Sequence, residues 1–208
     1  MKICFASHNP GKLKRYVALT EEFGVELVPL SELGITEKVP EPFETSQENA
    51  MHKAKEYAKM VNMPVLACDE EMRTNFLPEK LQPGVLVRRL GQDLDRDPTD
   101  QEVIDHWLQL IKDNPHENQE FYWDFSVVLY DPASGFEGAI TVTQESEIAD
   151  YVSKNYNPGY PMSTFMSPKG TGRKPYLDTP QEVRTRVERA NYQPFLEIFP
   201  EWLKQIHG

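Results

Sequence analysis

Lys2-Ile3-Cys4-Phe5-Ala6-Ser7-His8-Asn9-Pro10-Gly11-Lys12 is the stretch from which the fold is read. Residues 2–7 form a short, mostly apolar run without polar alternation, the pattern of a strand buried on both faces. Asn9-Pro10-Gly11 breaks that strand. A helix is expected from Lys12 to Phe23, with Leu13, Tyr16, Val17 and Phe23 roughly on one face and Gly24 as its stop. A strand, a polar turn and a lysine at a helix start make an anion site. The first helical amides lack intrahelical partners, the helix dipole is positive there, Lys12 adds a full charge, and Asn9 offers an amide donor. Taken alone, the same segment also reads as an ordinary turn followed by a solvated lysine.

Working outward, Val25–Leu30 reads as a second strand, and a Pro/Glu-rich loop spans 36–44. Thr45 and Glu48 form a capping box that opens a helix to Val61. Asn49 and Lys53 lie four apart on it and share a face that can point at a phosphate chain, or equally at solvent. Pro64–Cys68 is the next strand, with Asp69 at its end, and 69–98 read as irregular. Thr99 and Glu102 cap a helix to Lys112. Phe121–Tyr130 and Phe136–Glu145 are strands joined by Asp131-Pro132-Ala133-Ser134-Gly135, which is hairpin chemistry. The segment 146–178 shows no clear period. Thr179, Pro180 and Glu182 make a third capping box with proline at the first helical position, followed by a helical region broken at Pro194 and Pro200. Strands alternating with helices argue an α/β fold, and the hairpin argues that its sheet is mixed.

Composition narrows the function. At 208 residues the chain is expected to form one domain, 1–208, with an ample core. A net charge of -11 repels DNA and anionic membranes, so neither nucleic acid nor a membrane surface is an expected partner. An acidic protein that binds a nucleotide has to focus its positive charge locally and recruit a metal. The cysteines Cys4 and Cys68 each sit in an apolar run and lack the spacing of a zinc site, so they read as buried free thiols in a reducing compartment. Met1–Ala6 leads straight into the polar turn without the apolar core of a signal peptide, and no run approaches transmembrane length. A cytoplasmic location is expected.

Carboxylates complete the pattern. Glu41, Glu44, Asp69, Glu70 and Glu71 form a pool of hard oxygen donors, and Mg²⁺ takes few protein carboxylates, filling its shell with water and phosphate oxygens. An acid at the end of a buried strand is a usual place for a ligand or a base in an α/β site.

Three segments together resemble the inosine triphosphate pyrophosphatase family, which hydrolyses non-canonical purine nucleoside triphosphates. Ser7, Asn9 and Lys12 match its opening Thr/Ser-x-Asn-x-x-Lys loop. Glu41, Thr45, Glu48, Asn49, Ala50, Lys53 and Ala54 match its Glu-Thr-Gly-x-Thr-Phe-x-Glu-Asn-Ala-x-x-Lys-Ala run, with Ser46 in place of phenylalanine. Ala67-Cys68-Asp69-Glu70-Glu71-Met72 corresponds to Ala-Asp-Asp-Ser-Gly-Leu and keeps the second aspartate as Asp69. Pro83, Gly84 and Arg89 fit Pro-Gly-x-Tyr-Ser-x-Arg, and Thr99-Asp100-Gln101 is similar to the helix start that follows. The match covers about 1–101.

The second half departs. The base-holding Gly-Phe-Gly-Tyr/Trp-Asp-Pro-x-Phe is represented by Asn157-Pro158-Gly159-Tyr160-Pro161-Met162. The base-reading Ser-His-Arg is represented by Val187-Glu188-Arg189, which keeps only the arginine. Glutamate in place of histidine favours a donor edge on the base.

The resemblance implies an elongated, twisted mixed sheet flanked by helices, with the nucleotide in a cleft between two lobes, and a homodimer. It implies Mg²⁺-dependent hydrolysis of a nucleoside triphosphate between the α and β phosphates. Glu41 and Asp69 would hold the metal, Asp69 would also activate water, and Lys12 would act with it in catalysis. Ser7, Asn9, Lys12, Lys53, Arg89, Tyr160 and Arg189 would bind the substrate. Two rivals differ in class: a catalytically silent nucleotide binder or regulator, which the rewritten base-reading segments favour, and a scaffold used only for interaction.

Overall fold

The computed structural model of the protein describes residues 1–88, 90, 96 and 98–206. Six strands form one mixed sheet in the order β2-β1-β3-β4-β5-β6: β1 Lys2–Phe5, β2 Glu26–Pro29, β3 Val65–Thr74, β4 Glu120–Asp131, β5 Phe136–Ile148 and β6 Met166–Pro168. The helices are α1 Pro10–Thr20, α2 Ser46–Val61, α3 Asp100–Asp113, α4 Gln181–Asn191 and α5 Gln193–Gln205. β1 is parallel to both β2 and β3, and β5 is antiparallel to β6, so the expected α/β class with a mixed sheet is met. The chain divides into two compact units. The first comprises Met1–Glu70, Phe125–Val142 and Tyr192–Gly208, and the second comprises Glu71–Asp124 and Thr143–Asn191.

In the first unit, β1 is buried on both faces, with Ile3, Cys4 and Phe5 fully inaccessible. Phe5 meets Tyr16 of α1 at a ring distance of 5.4 Å, while Cys4 and Ala6 pack in a core with α2. That core is narrow because α2 presents Ala50, Ala54 and Ala58, one turn apart, to Val65 and Ala67 of β3. Small residues at this spacing let the helix lie close on the strands. Asn62 ends α2 in the left-handed conformation, and Gly24 does the same for the short 3₁₀ turn after α1. α5 buries Phe195, Leu196, Phe199, Trp202 and Leu203. The helical region is interrupted at Tyr192, just before Pro194 in the first turn of α5, as expected, but Pro200 lies within α5 and does not break it. The lost hydrogen bond at Pro200 is outweighed by burial of one continuous apolar face.

In the second unit, α3 carries a complete capping box, with Thr99 accepting from the Glu102 amide and Glu102 accepting from the Thr99 amide. Met72, Phe76, Trp107, Phe121 and Phe165 share its core. The third capping box does not form as expected. The Thr179 hydroxyl turns back to the carbonyls of Lys174 and Pro175, and α4 begins at Gln181.

The main departure from expectation is β3. Asp69, Glu70 and Glu71 read as the start of an irregular loop, yet the strand runs through them to Thr74. Backbone pairing explains part of this, since Met72 and Gly84 exchange two hydrogen bonds of 2.9 and 3.1 Å. β3 is also hydrogen-bonded to β4 within the sheet, and cations from α1 and α2 meet the charges of Glu70 and Asp69.

Candidate active site

The first unit gathers Ser7, Asn9, Lys12, Glu41, Lys53 and Asp69 by way of β1, α1, the 36–44 loop, α2 and β3. The loop after β1 is built by its own side chains. Ser7 Oγ accepts the Asn9 amide at 3.2 Å, and Asn9 Oδ1 accepts the amides of Gly11 at 2.8 Å and Lys12 at 3.3 Å. Asn9 is therefore the N-cap of α1, with Pro10 at the first helical position. The expectation that those helix-start amides stand unpaired is corrected: two of them are capped from within the loop. The cap holds Lys12 in the first turn of α1.

Glu41 is carried by a loop without regular structure, so its placement needs an anchor. Asn49, fully buried in the first turns of α2, supplies one. Its Oδ1 accepts from Phe43 N and its Nδ2 donates to Phe43 O, each at 3.0 Å. Asn49 thus latches the loop that presents Glu41. His8 is likewise structural, lying 3.1 Å from the Glu37 carbonyl and 3.3 Å from the Tyr57 hydroxyl.

Lys53 is the centre of the cluster. It is buried, and its Nζ lies 2.7 Å from Glu41 Oε1 and 3.2 Å from Asp69 Oδ1. Burial pushes the Asp69 carboxyl above the ordinary aspartate range, against the opposing pull of Lys53 and Lys12. Glu70, the next residue, lies 3.5 Å from Lys12 Nζ and 3.2 Å from Arg15 Nη1. Burial raises its pKa too, but Lys12 and Arg15 outweigh that and hold it below the usual glutamate value. Arg15 also lies over the Phe125 ring at 5.2 Å and within 3.5 Å of the Tyr192 hydroxyl. Lys12, Arg15 and Lys53 thus face Glu41, Asp69 and Glu70, three cations against three carboxylates, in ion pairs of 2.7–3.5 Å.

Sequence reasoning missed Arg15. The available signal was its spacing, since it lies one turn beyond Lys12 on the same face of α1. Tyr160 and Arg189 belong to the second unit. The Tyr160 amide donates to Asn157 O at 3.0 Å and its carbonyl accepts the Ser163 hydroxyl at 2.5 Å, while Arg189 is exposed in the last turn of α4. Arg89 lies outside the described residues. In the same unit Asp100 gathers the Tyr156 hydroxyl, the Gly159 amide at 2.8 Å and Arg88 at 3.0 Å, tying α3 to the segment before Tyr160.

Among the described residues no group of three or more His, Cys, Asp or Glu side chains is arranged to hold a metal ion. The pair Glu41 and Asp69 does fit a hard cation that shares its shell with a ligand, because both carboxylates already converge on one positive charge, Lys53 Nζ. Among the described residues no helix is long and apolar enough to cross a membrane.

Fold and site define an α/β protein whose polar centre alternates cations and carboxylates around an extended parallel strand. The chain belongs to the Ham1 family, whose profile matches residues 3–188, in keeping with the resemblance read from the motifs. It is 31% identical over 150 residues to a dITP/XTP pyrophosphatase of Bacillus subtilis, covering 72% of this chain and 70% of that one. It is 44% identical over 91 residues to a dITP/XTP pyrophosphatase of Bordetella pertussis, covering 44% of this chain and 41% of that one. Among solved structures, a nucleoside-triphosphatase / dITP/XTP pyrophosphatase from Mycobacterium abscessus superposes with a TM-score of 0.68 at 26% identity, over 94% of this chain and 96% of that one. A HAM1 protein from Coxiella burnetii, at 24% identity, has the same fold with a TM-score of 0.76 over 99% of both chains.

Proposed function

We propose that this protein is a nucleoside triphosphate pyrophosphohydrolase, cleaving between the α and β phosphates to give a nucleoside monophosphate and pyrophosphate. The observation that carries the reading is Lys53 held between Glu41 and Asp69, in a chain of the Ham1 family whose relatives are named dITP/XTP pyrophosphatases.

Glu41 and Asp69 are the residues that would hold Mg²⁺, and the ion would supply charge neutralisation at the phosphate oxygens. Asp69 takes a proton from the attacking water, a task that suits a carboxylate whose affinity for protons is raised by burial. The water oxygen bonds to the α phosphorus, the bond to the α–β bridging oxygen breaks, and pyrophosphate leaves with that electron pair. Lys12 and Lys53 stabilise the charge that develops, as positioned cations do in phosphoryl transfer. Ser7 and Asn9 shape the loop that presents Lys12, and Arg89 adds a further cation to the phosphates. Tyr160 and Arg189 contact the base. The enzyme works as a homodimer in the cytoplasm, where Cys4 and Cys68 remain thiols; both are buried and free in the structure.

A second reading, a catalytically silent nucleotide binder, draws on a specific observation: Lys12 and Lys53 each have a carboxylate within 3.5 Å before any phosphate arrives. Pyrophosphate release from ITP, XTP, dITP and the standard ribo- and deoxyribonucleotides with Mg²⁺ separates the two. Release of pyrophosphate rather than single phosphates supports the enzyme. A folded sample that shifts its melting temperature with nucleotide, yet turns none over, supports the silent binder.

A further inference from the structure

β3 deals its side chains alternately to two helices, and this bears on a departure in its sequence. Val65 and Ala67 pack in the core with Ala50, Ala54 and Ala58 of α2, and Asp69 reaches Lys53 of the same helix. Residues 66, 68 and 70 face the opposite way by the period of a strand, and Glu70 reaches Lys12 and Arg15 of α1. The family motif Ala-Asp-Asp-Ser places acids at the positions of Cys68 and Asp69, one on each face. This chain reads Ala67-Cys68-Asp69-Glu70. An acid has disappeared from position 68 and another has appeared two residues along the same face. Lys12 is close enough to both positions for its charge to act on the Cys68 thiol as well as on Glu70.

We propose that Glu70 is a relocated carboxylate, which takes over from position 68 the task of holding Lys12 and Arg15 and so acts as a positioning residue for the phosphate-binding lysine. The role given to Lys12 rests on the function proposed above. Geometry accounts for the move. Positions 68 and 70 are about 7 Å apart along the strand, Lys12 and Arg15 are one helical turn apart, and glutamate is one methylene longer than aspartate. Both positions lie on the face of β3 turned toward α1, where Lys12 and Arg15 stand 3.5 and 3.2 Å from Glu70. Relocation keeps the cluster at three cations against three carboxylates, whereas Cys68 with a serine at 70 would leave Lys12 and Arg15 beside each other without Glu70 between them.

The test is a charge swap, E70S, E70Q and C68D/E70S, read by kcat and KM for the preferred triphosphate and by melting temperature without nucleotide. E70S and E70Q are expected to lower kcat about tenfold or more and to lower the melting temperature, because both remove a carboxylate charge from within 3.5 Å of two half-buried cations. C68D/E70S is expected to recover most of both losses. A Glu70 that is merely structural would lower the melting temperature and leave kcat of the folded enzyme unchanged, which overturns the positioning role. Unaltered kcat and melting temperature in the folded E70Q protein overturn the proposal without reliance on the double variant. So does a folded C68D/E70S no better than E70S. If the wild-type protein turns over no nucleotide, the proposed function fails by itself. The melting temperatures then decide the relocation: recovery in C68D/E70S supports it, and no recovery overturns it.

Discussion

Lys53 on α2 and Asp69 on β3 face each other at 3.2 Å, both buried, in the middle of a strand that local sequence marks as ending one residue earlier. The aspartate is thus held rigidly by a ten-residue strand, and its charge is met by an ammonium from the adjacent helix. That gives the proposed base a fixed position and the proposed phosphate ligand a fixed partner.

Replacing Asp69 by asparagine keeps the shape and removes the proton acceptor. Turnover is expected to fall by roughly two to four orders of magnitude, with the circular dichroism spectrum and the nucleotide-induced rise in melting temperature retained. Pyrophosphate release at wild-type rate from D69N would remove Asp69 from the role of base.

Lys53→Ala leaves Glu41 and Asp69 turned toward each other with their shared cation removed. Breaking a buried ion pair from one side costs about 3 kcal/mol. A drop of that order is expected in urea denaturation, together with loss of turnover. Arginine at 53 is expected to restore part of the stability and little of the activity, because its planar fork does not reproduce a point charge between two carboxylates.

Asp131 organises the β4–β5 hairpin. Its carboxylate accepts from the amides of Ala133 at 3.2 Å and Ser134 at 3.0 Å and from the Ser134 hydroxyl at 2.6 Å. Burial raises its pKa, but these donors outweigh it and hold the group below the ordinary aspartate value. A depressed folded-state pKa means that the contribution is complete above the unfolded-state pKa and disappears as pH falls through the folded-state one. D131N is therefore expected to lose about 1–2 kcal/mol at pH 7. Its denaturation midpoint should converge on that of the wild type in strongly acidic buffer. A gap independent of pH would refute the ionic part of the argument.

Gly138 on β5 lies under Trp202 of α5. A Cβ there would stand 2.7 Å from two atoms of the indole ring, which has no flexible end to move aside. G138A is expected to destabilise the protein by about 1–3 kcal/mol through overpacking, measured as a lower melting temperature, with kcat little changed.

Much of the fold was legible because local chemistry dictates it. The box at Thr99 and Glu102, the stop at Gly24 and the turn at 131–135 each satisfy backbone groups within a few residues, so their sequence signatures survive folding. β3 and α5 were not legible in the same way. The charged run 69–71 becomes strand because β3 pairs with β4 and Gly84 pairs with Met72, while Lys12, Arg15 and Lys53 arrive from distant helices to meet Glu70 and Asp69. α5 tolerates Pro200 because of the apolar face that it buries. Thr179 shows the converse: a capping signature left unused because nearby carbonyls compete for its hydroxyl.

The same division runs through the site. By itself the sequence determined which chemistry is on offer, since the lysines, the carboxylates and their spacing along the chain are read directly and carry the family resemblance. Only the tertiary structure decided how those charges are shared. It gave Asp69 and Glu41 to Lys53, Glu70 to Lys12 and Arg15, and Asn49 to the loop that presents Glu41. The reason is physical: a carboxylate's partner and proton affinity depend on what is within about 4 Å and on how much water is excluded. Both are set by contacts between distant residues, such as Arg15 and Glu70, 55 positions apart.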